Sequence, residues 1–237
     1  EFIKKNHNED IILKKLDYID VDVYKLFSKG ETIGVFQFES RGMREYLKQL
    51  KPNCIEDIIA MNALYRPGPM ANIKSFISRK NGSEKIVYPH PVLENILKET
   101  YGIIVYQEQV MQIGSLIGGL TLAQADLMRR AMGKKKSNLM ATFKIDFVKG
   151  AKTNNIDTKV ASEIFELLEK FAQYGFNKSH STAYAIIAYQ TAWLKVHYPI
   201  EFMAASLSSE TNDTDRILTL ISETKNLEIE IIPPDIN

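Results

Sequence analysis

TLAQADLMRRAMG, residues 121–133, carries the helical signature on which the reading of the whole chain turns. Thr121 and Gln124 have the spacing of a capping box, in which the threonine hydroxyl takes the N–H three residues on and the glutamine reaches back. Leu122, Ala125, Met128 and Met132 then recur at helical spacing and predict one buried face. Gly133 is placed to end the helix.

The same period recurs outward from this segment. Ser137 can cap a helix with the stripe Leu139, Met140, Phe143, Phe147 and Ala151, and a further helix from about Asp157 to Ala172 turns Ile164, Leu167, Leu168 and Phe171 inward. Residues 181–198 make a long apolar helix that Pro199 interrupts, and Asp213 or Thr214 can cap the next one. Upstream, residues 55–65 read as a helix that stops at Arg66-Pro67-Gly68-Pro69, and Pro91 suits the first position of another. Strand signals are brief: GIIVY at 102–106, and LEIEI at 227–231 running into Pro233-Pro234. The expected fold is therefore mainly α, a compact multi-helix unit with a few short strands.

Composition sets the outer bounds. Lys and Arg total 30 against 29 Asp and Glu in 237 residues, so any electrostatic function must come from local clustering. The single cysteine, Cys54, excludes an internal disulfide framework and a cysteine-based metal cluster, and fits a reducing, cytoplasmic setting. No apolar run approaches the roughly 18–20 residues that cross a bilayer. The start, EFIKKNHNED, lacks an initiating Met and suggests a segment of a longer chain.

Local clustering is what DLMRRAMGKKK, residues 126–136, provides: Arg129, Arg130, Lys134, Lys135 and Lys136. Cations near a helix C-terminus complement its dipole, and Asp126 can pair with Arg130 four residues on. Adjacent helical residues point about 100° apart, so one arginine at most is expected to follow Asp126 while the other reaches elsewhere. Guanidinium forks suit phosphate oxygens, and loop lysines add point charges. A second element comes from YGFNKSHSTAY, 174–184, where Lys178 and His180 stand at a helix start near Ser179 or Ser181 whose free N–H groups form an anion site. The plainer alternative has Asn177 and Ser179 making the turn and the cap. Asp20 and Asp22 form a D-x-D pattern and read either as a metal pair on a strand or as solvated acids, with Asp22 capping VYKLF. Aromatics interleave with polar residues in VYQEQVMQ, 105–112, and AYQTAW, 188–193; they read as core residues with satisfied tips or as base-stacking platforms. No HExxH, CxxC or P-loop run is present.

Taken together, GVFQFESRGM (34–43), ALYRPGPM (63–70), YGIIVYQEQVMQI (101–113), DLMRRAMGKKK and the run from Tyr174 to Ala205 resemble, in order, the fingers region of the bacterial C-family replicative DNA polymerases, the DNA polymerase III alpha family. The resemblance covers most of residues 16–237. It implies a connector from a palm domain over 1–30 and a fingers domain over 31–237. It further implies that Arg129, Arg130, Lys178 and His180 face the triphosphate of an incoming deoxynucleoside triphosphate. Lys134, Lys135, Lys136 and Asn177 are the further candidates for DNA or phosphate contact. The family's metal-holding aspartates lie in palm segments that this sequence does not contain. Asp20 and Asp22 therefore do not inherit that role, no catalytic residue is expected here, and the Mg2+ of the intact enzyme belongs to the palm. The implied partners are primer–template DNA, the nucleotide, and the sliding clamp and other replicase subunits, with no membrane. The rival expectation is a helical DNA-binding or protein-docking module whose basic cluster meets only backbone phosphates.

Overall fold

The computed structural model describes residues 1–134, 137–172, 174–210 and 212–232. The chain divides into two compact units where the sequence suggests one: residues 1–58 together with 183–237, and the continuous stretch 59–182. Thirteen α-helices carry the described chain, and the only β pairing among the described residues is a single bridge between Tyr106 and Phe176.

The first unit draws on α1 (Phe2–His7), α2 (Val21–Lys29), α3 (Arg41–Leu50) and most of the residues before α4 (Ile55–Leu64) ends. Asp20, rather than Asp22, caps α2: its Oδ1 accepts the N–H groups of Asp22 and Val23 at 2.9 and 3.3 Å. Its Oδ2 meets His197 Nε2 at 2.7 Å, so this acid has a structural place. Burial acts to raise the Asp20 pKa, but the hydrogen bonds from His197 and the two backbone N–H groups outweigh it and leave it lowered. Val23, Phe27, Val35, Phe38, Leu47 and Leu50 are fully buried in this unit, with Phe27 edge-on to Phe38. Cys54 is half-buried; burial, then the charge of Asp57, pushes its thiol up to about 12, so it is not a reactive thiolate at neutral pH.

The second unit holds α5 (Ile73–Lys80), α6 (Glu94–Leu97), α7 (Gln107–Leu116), α8 (Leu122–Gly133), α9 (Ser137–Thr153) and α10 (Thr158–Ala172). Helix α11 (Lys178–His197) begins here, three residues before the expected start, and continues into the first unit, followed there by α12 (Pro199–Ser209) and α13 (Thr214–Asn226). Pro91 opens a short 3-10 turn ahead of α6, and Pro199 sits at the first turn of α12, where a missing N–H costs nothing. The stripe of α8 is borne out at Ala125, Met128 and Met132, but Leu122 is 73% exposed because it lies in the first turn, beyond the packed face. On α9, Met140, Phe147 and Ala151 are buried while Leu139 is exposed. With Ile164, Phe165 and Leu168 of α10 these side chains form one core, Phe147 edge-on to Phe165.

The two expected strands do not pair into a sheet, and side chains explain why. The N–H groups of Val105 and Tyr106 both donate to Gln109 Oε1, at 2.8 and 3.0 Å, and Thr100 Oγ1 donates to the Ile103 carbonyl at 2.6 Å. The apolar run is thus buried with its polar backbone satisfied by local side chains instead of a ladder. Leu227 to Ile229 close α13: the Glu228 N–H reaches Lys225 O, the Ile229 N–H reaches Thr224 O, and Glu228 is left-handed. Residues 233–237 lie outside the described residues. No described helix is long and apolar enough to cross a membrane.

Candidate anion-binding site

Arg129 and the residues that open α11 meet at the first turn of α7. On α8 the capping box forms as expected, with Thr121 Oγ1 accepting the Gln124 N–H and Gln124 Oε1 accepting the Thr121 N–H. This fixes the register in which Arg129 and Arg130 emerge. Both arginines, not one, hold Asp126. Arg129 Nη2 meets Oδ1 at 2.7 Å and Arg130 Nη2 meets Oδ2 at 2.8 Å, so the carboxylate bridges the 100° between them with its two oxygens. The Arg129 hydrogen bond chiefly, opposed by burial and helped by the Arg130 hydrogen bond, holds the Asp126 carboxyl below its ordinary range.

Arg129 turns inward, its side chain 20% exposed, and its Nη1 donates to Gln107 Oε1 at 3.1 Å. Gln107 in turn donates through Nε2 to the Gly175 carbonyl and through its backbone N–H to the Phe176 carbonyl. Glu108, the next residue, accepts from Asn177 Nδ2 through Oε1 and from the Lys178 N–H through Oε2. The two segments singled out in the sequence are therefore tied to adjacent residues of α7. Sequence reasoning missed Gln107 and Glu108 because their partners lie far along the chain; the only local signal is their place in VYQEQVMQ.

The start of α11 is capped as the plainer alternative has it for Asn177, whose Oδ1 accepts the His180 N–H at 2.8 Å. The free N–H expected at this helix start is thus met by the chain's own groups, with Glu108 acting as the anion. Lys178 Nζ meets both oxygens of Glu99 at 2.8 and 2.7 Å and lies 5.5 Å from the centre of the Tyr106 ring. His180 is exposed and packs edge-on to Phe176 at 5.3 Å. Over the same Phe176 ring, at 4.1 Å, stacks Arg66 of the RPGP turn, whose Nη2 also donates to the Tyr174 carbonyl. Gly68 lies so close that a Cβ there would stand 2.5 Å from the Tyr174 ring. Arg66 thus joins the site, a residue the sequence reading left in a turn.

Arg130 faces elsewhere. It is 63% exposed and, with Lys134, edges a cleft of about 260 Å3 floored by Leu127, Ala131, Leu139 and Phe143. Lys135 and Lys136 lie outside the described residues. Tyr106 and Tyr189 are buried, the latter accepting the Asp20 N–H on its hydroxyl, so both are core aromatics. Among the described residues no three His, Cys, Asp or Glu side chains gather to hold a metal ion.

Arg66, Arg129, Arg130, Lys134 and Lys178 face only Asp126, Glu99 and Glu108 in the contacts above, a cation excess set on short, capped helix ends. Such an arrangement can take a multiply charged anion by exchanging its internal carboxylates for the ligand's oxygens. Residues 1–155 match the family described as the bacterial DNA polymerase III alpha subunit finger domain. Across its whole length the chain is 51% identical to the DNA polymerase III subunit alpha of Borreliella burgdorferi, and 52% identical over 94% of its length to that of Pseudomonas aeruginosa. The Aquifex aeolicus subunit is 50% identical over the whole chain, and the chain spans about one fifth of the length of these relatives, 20–21%. The cation-rich helix ends and the helical frame that carries them are thus those of a chain that belongs to the bacterial DNA polymerase III alpha subunit finger domain family.

Proposed function

We propose that this chain forms the nucleotide-facing part of a DNA-directed DNA polymerase. The intact enzyme joins a primer 3′-hydroxyl to the α-phosphate of a deoxynucleoside triphosphate and releases pyrophosphate. Arg129, Arg130, Lys178 and His180 neutralise the triphosphate and the leaving group, while Lys134 to Lys136 and Asn177 meet DNA or phosphate. The observation that carries this reading is the link through α7: Gln107 holds Arg129 and the turn before α11, and Glu108 holds the first residues of that helix. Two separate cationic segments are thereby preorganised for one phosphate chain.

In this reading residues 1–30 are the connector and 31–237 the fingers. The Mg2+ of the intact enzyme is held by palm residues outside the chain, and no step assigned to these side chains passes through it. The 237 residues alone extend no primer. Primer–template DNA, the sliding clamp and the other replicase subunits are partners of the parent chain, which works in the cytoplasm.

The test is primer extension by the parent chain at saturating primer–template over a nucleotide series, comparing wild type with Arg129→Ala and His180→Ala. Loss of such a contact removes about 2.7–4 kcal/mol of transition-state stabilisation in comparable sites. A fall in kcat/KM for the nucleotide with unchanged DNA affinity supports the clamp. Recovery on adding DNA or lowering salt would overturn it. The exposure of Arg130 and its place beside Lys134 favour a second role for that residue alone, as a contact to backbone phosphate. Arg130→Ala would then lower the salt slope of DNA binding by roughly one unit.

A further inference from the structure

Arg66 is held differently from the other cations of the anion site. Arg129, Arg130 and Lys178 each rest on a carboxylate, which an arriving anion can displace. The contacts that fix Arg66 are neutral. Its Nε donates to the Ala63 carbonyl and its Nη2 to the Tyr174 carbonyl, both at 2.9 Å, and its guanidinium carbon lies 4.1 Å from the centre of the Phe176 ring. Two carbonyls and a ring face fix the plane of a guanidinium, and none of them leaves when a phosphate arrives.

The turn that carries Arg66 is as constrained as its side chain. Pro67 restricts the backbone of the residue before it, the Arg66 N–H reaches the Leu64 carbonyl at 2.8 Å, and the Met70 N–H returns to the Arg66 carbonyl at 3.1 Å. Pro69 is buried, and Gly68, at φ 95°, packs against the Tyr174 ring where a side chain would collide. The turn thus grips residues 174–176, and the start of α7 grips them again. There the Phe176 N–H donates to the Val105 carbonyl at 3.1 Å and its carbonyl accepts the Gln107 N–H at 2.9 Å. All of these residues belong to the continuous unit. What the clamp fixes is nevertheless open to solvent: Tyr174 is 49% exposed, and His180, edge-on to Phe176 at 5.3 Å, is exposed as well. Contacts made for stability alone end in buried side chains, whereas rigid support beneath exposed ones is what a binding site requires.

We propose that Arg66 is a positioning residue for nucleotide incorporation: it does not touch the nucleotide, and acts through the Phe176 ring to set where the His180 imidazole stands. What the role needs is the flat fork, not the charge. Lysine at this position would keep the charge, but its compact ammonium cannot cover a ring and reach two carbonyls together. Displacing a contact group by about 1 Å costs up to about a hundredfold in rate, so the loss belongs to nucleotide turnover and not to DNA binding. The inference rests on the reading of His180 as a triphosphate contact.

The test is primer extension by the parent chain over a nucleotide series, with Arg66→Lys, His180→Ala and the two combined. Phe176→Leu, which keeps apolar bulk and removes the ring, is run beside them. Arg66→Lys is expected to lower kcat/KM for the nucleotide roughly ten- to hundredfold at unchanged primer–template dependence. On the His180→Ala background the same change should cost less than about twofold, because the group it positions is gone. Phe176→Leu should reproduce both the loss and its disappearance beside His180→Ala, and it carries the test alone if the lysine variant does not fold. Wild-type kinetics in Arg66→Lys overturn the proposal, since charge would then suffice. So does a loss that persists in full beside His180→Ala, as a general structural fault or a direct phosphate contact would give. The two readings fail separately. Wild-type nucleotide dependence in His180→Ala removes the triphosphate reading and this inference with it, whereas an effect of His180→Ala that Arg66→Lys does not share removes the inference alone.

Discussion

Asp126 is one residue on which two arginines depend, and its titration has a definite sign. Its carboxyl sits below the ordinary value of 3.8 because Arg129 and then Arg130 hydrogen-bond its charged form. A depressed carboxyl contributes stability in full above its unfolded pKa and loses it as pH falls through the folded one. Asp126→Asn should therefore show a constant stability difference from wild type between neutral pH and about pH 4, shrinking on further acidification. Urea midpoints across that range measure it, and a difference that persists undiminished into acid would refute the fork. At Gly150 the constraint is steric. A Cβ there would stand 1.8 Å from the Gly118 carbonyl oxygen, which is backbone and cannot swing away, and a Cβ at Gly118 would meet the Phe147 ring at 2.5 Å. Gly150→Ala should cost about 1–3 kcal/mol or more of stability, read from denaturant midpoints; a neutral result would mean that α9 can lift off this turn. Residue by residue, the sequence revealed the cations, which announce themselves by type and clustering. It did not reveal Glu99, Gln107 and Glu108, whose partners are 79, 68 or 22, and 69 or 70 positions away.

At the scale of elements, helices were legible because cap, stripe and stop are local. The capping box at Thr121, the Asp213 cap of α13 and the Pro199 start of α12 are all read within a few residues. The extended runs were misread because apolar content cannot distinguish a strand in a ladder from a buried segment whose N–H groups go to Gln109. Helix α11 carries the clearest energetic commitment. Lys195 is buried with Glu223 at 2.6 Å and two backbone carbonyls, and burial, working against the attraction of Glu223, lowers its pKa. Lys195→Met would leave Glu223 and both carbonyls without the ammonium. The expected cost is about 3–5 kcal/mol, the range for breaking one side of a buried pair. Adding Glu223→Leu should recover part of it, because the stranded carboxylate is then gone as well. A double variant as unstable as the single one would show that the carbonyls of Glu31 and Ile33, not the ion pair, carry the energy.

For the whole molecule, the division into two units is what the sequence concealed, since helical periodicity runs on without a linker. One unit is continuous, 59–182, and the other is assembled from the segments on either side of it. Each has fully buried side chains of its own: Phe27, Phe38 and Leu47 in the discontinuous unit, Val110, Met128, Phe147 and Leu168 in the continuous one. The chain's single tryptophan, Trp193, belongs to the discontinuous unit, stacked on His197 at 4.6 Å. Its fluorescence therefore reports one unit, whereas far-ultraviolet circular dichroism reports the helices of both. Separate cores should unfold as separate cooperative steps, so the two probes are expected to give different urea midpoints. Gly150→Ala, which lies in the other unit, should then move the dichroism curve and leave the tryptophan curve in place. Coincident curves that shift together in the variant would mean that α4 and α11, each of which runs from one unit into the other, weld the cores into a single cooperative fold.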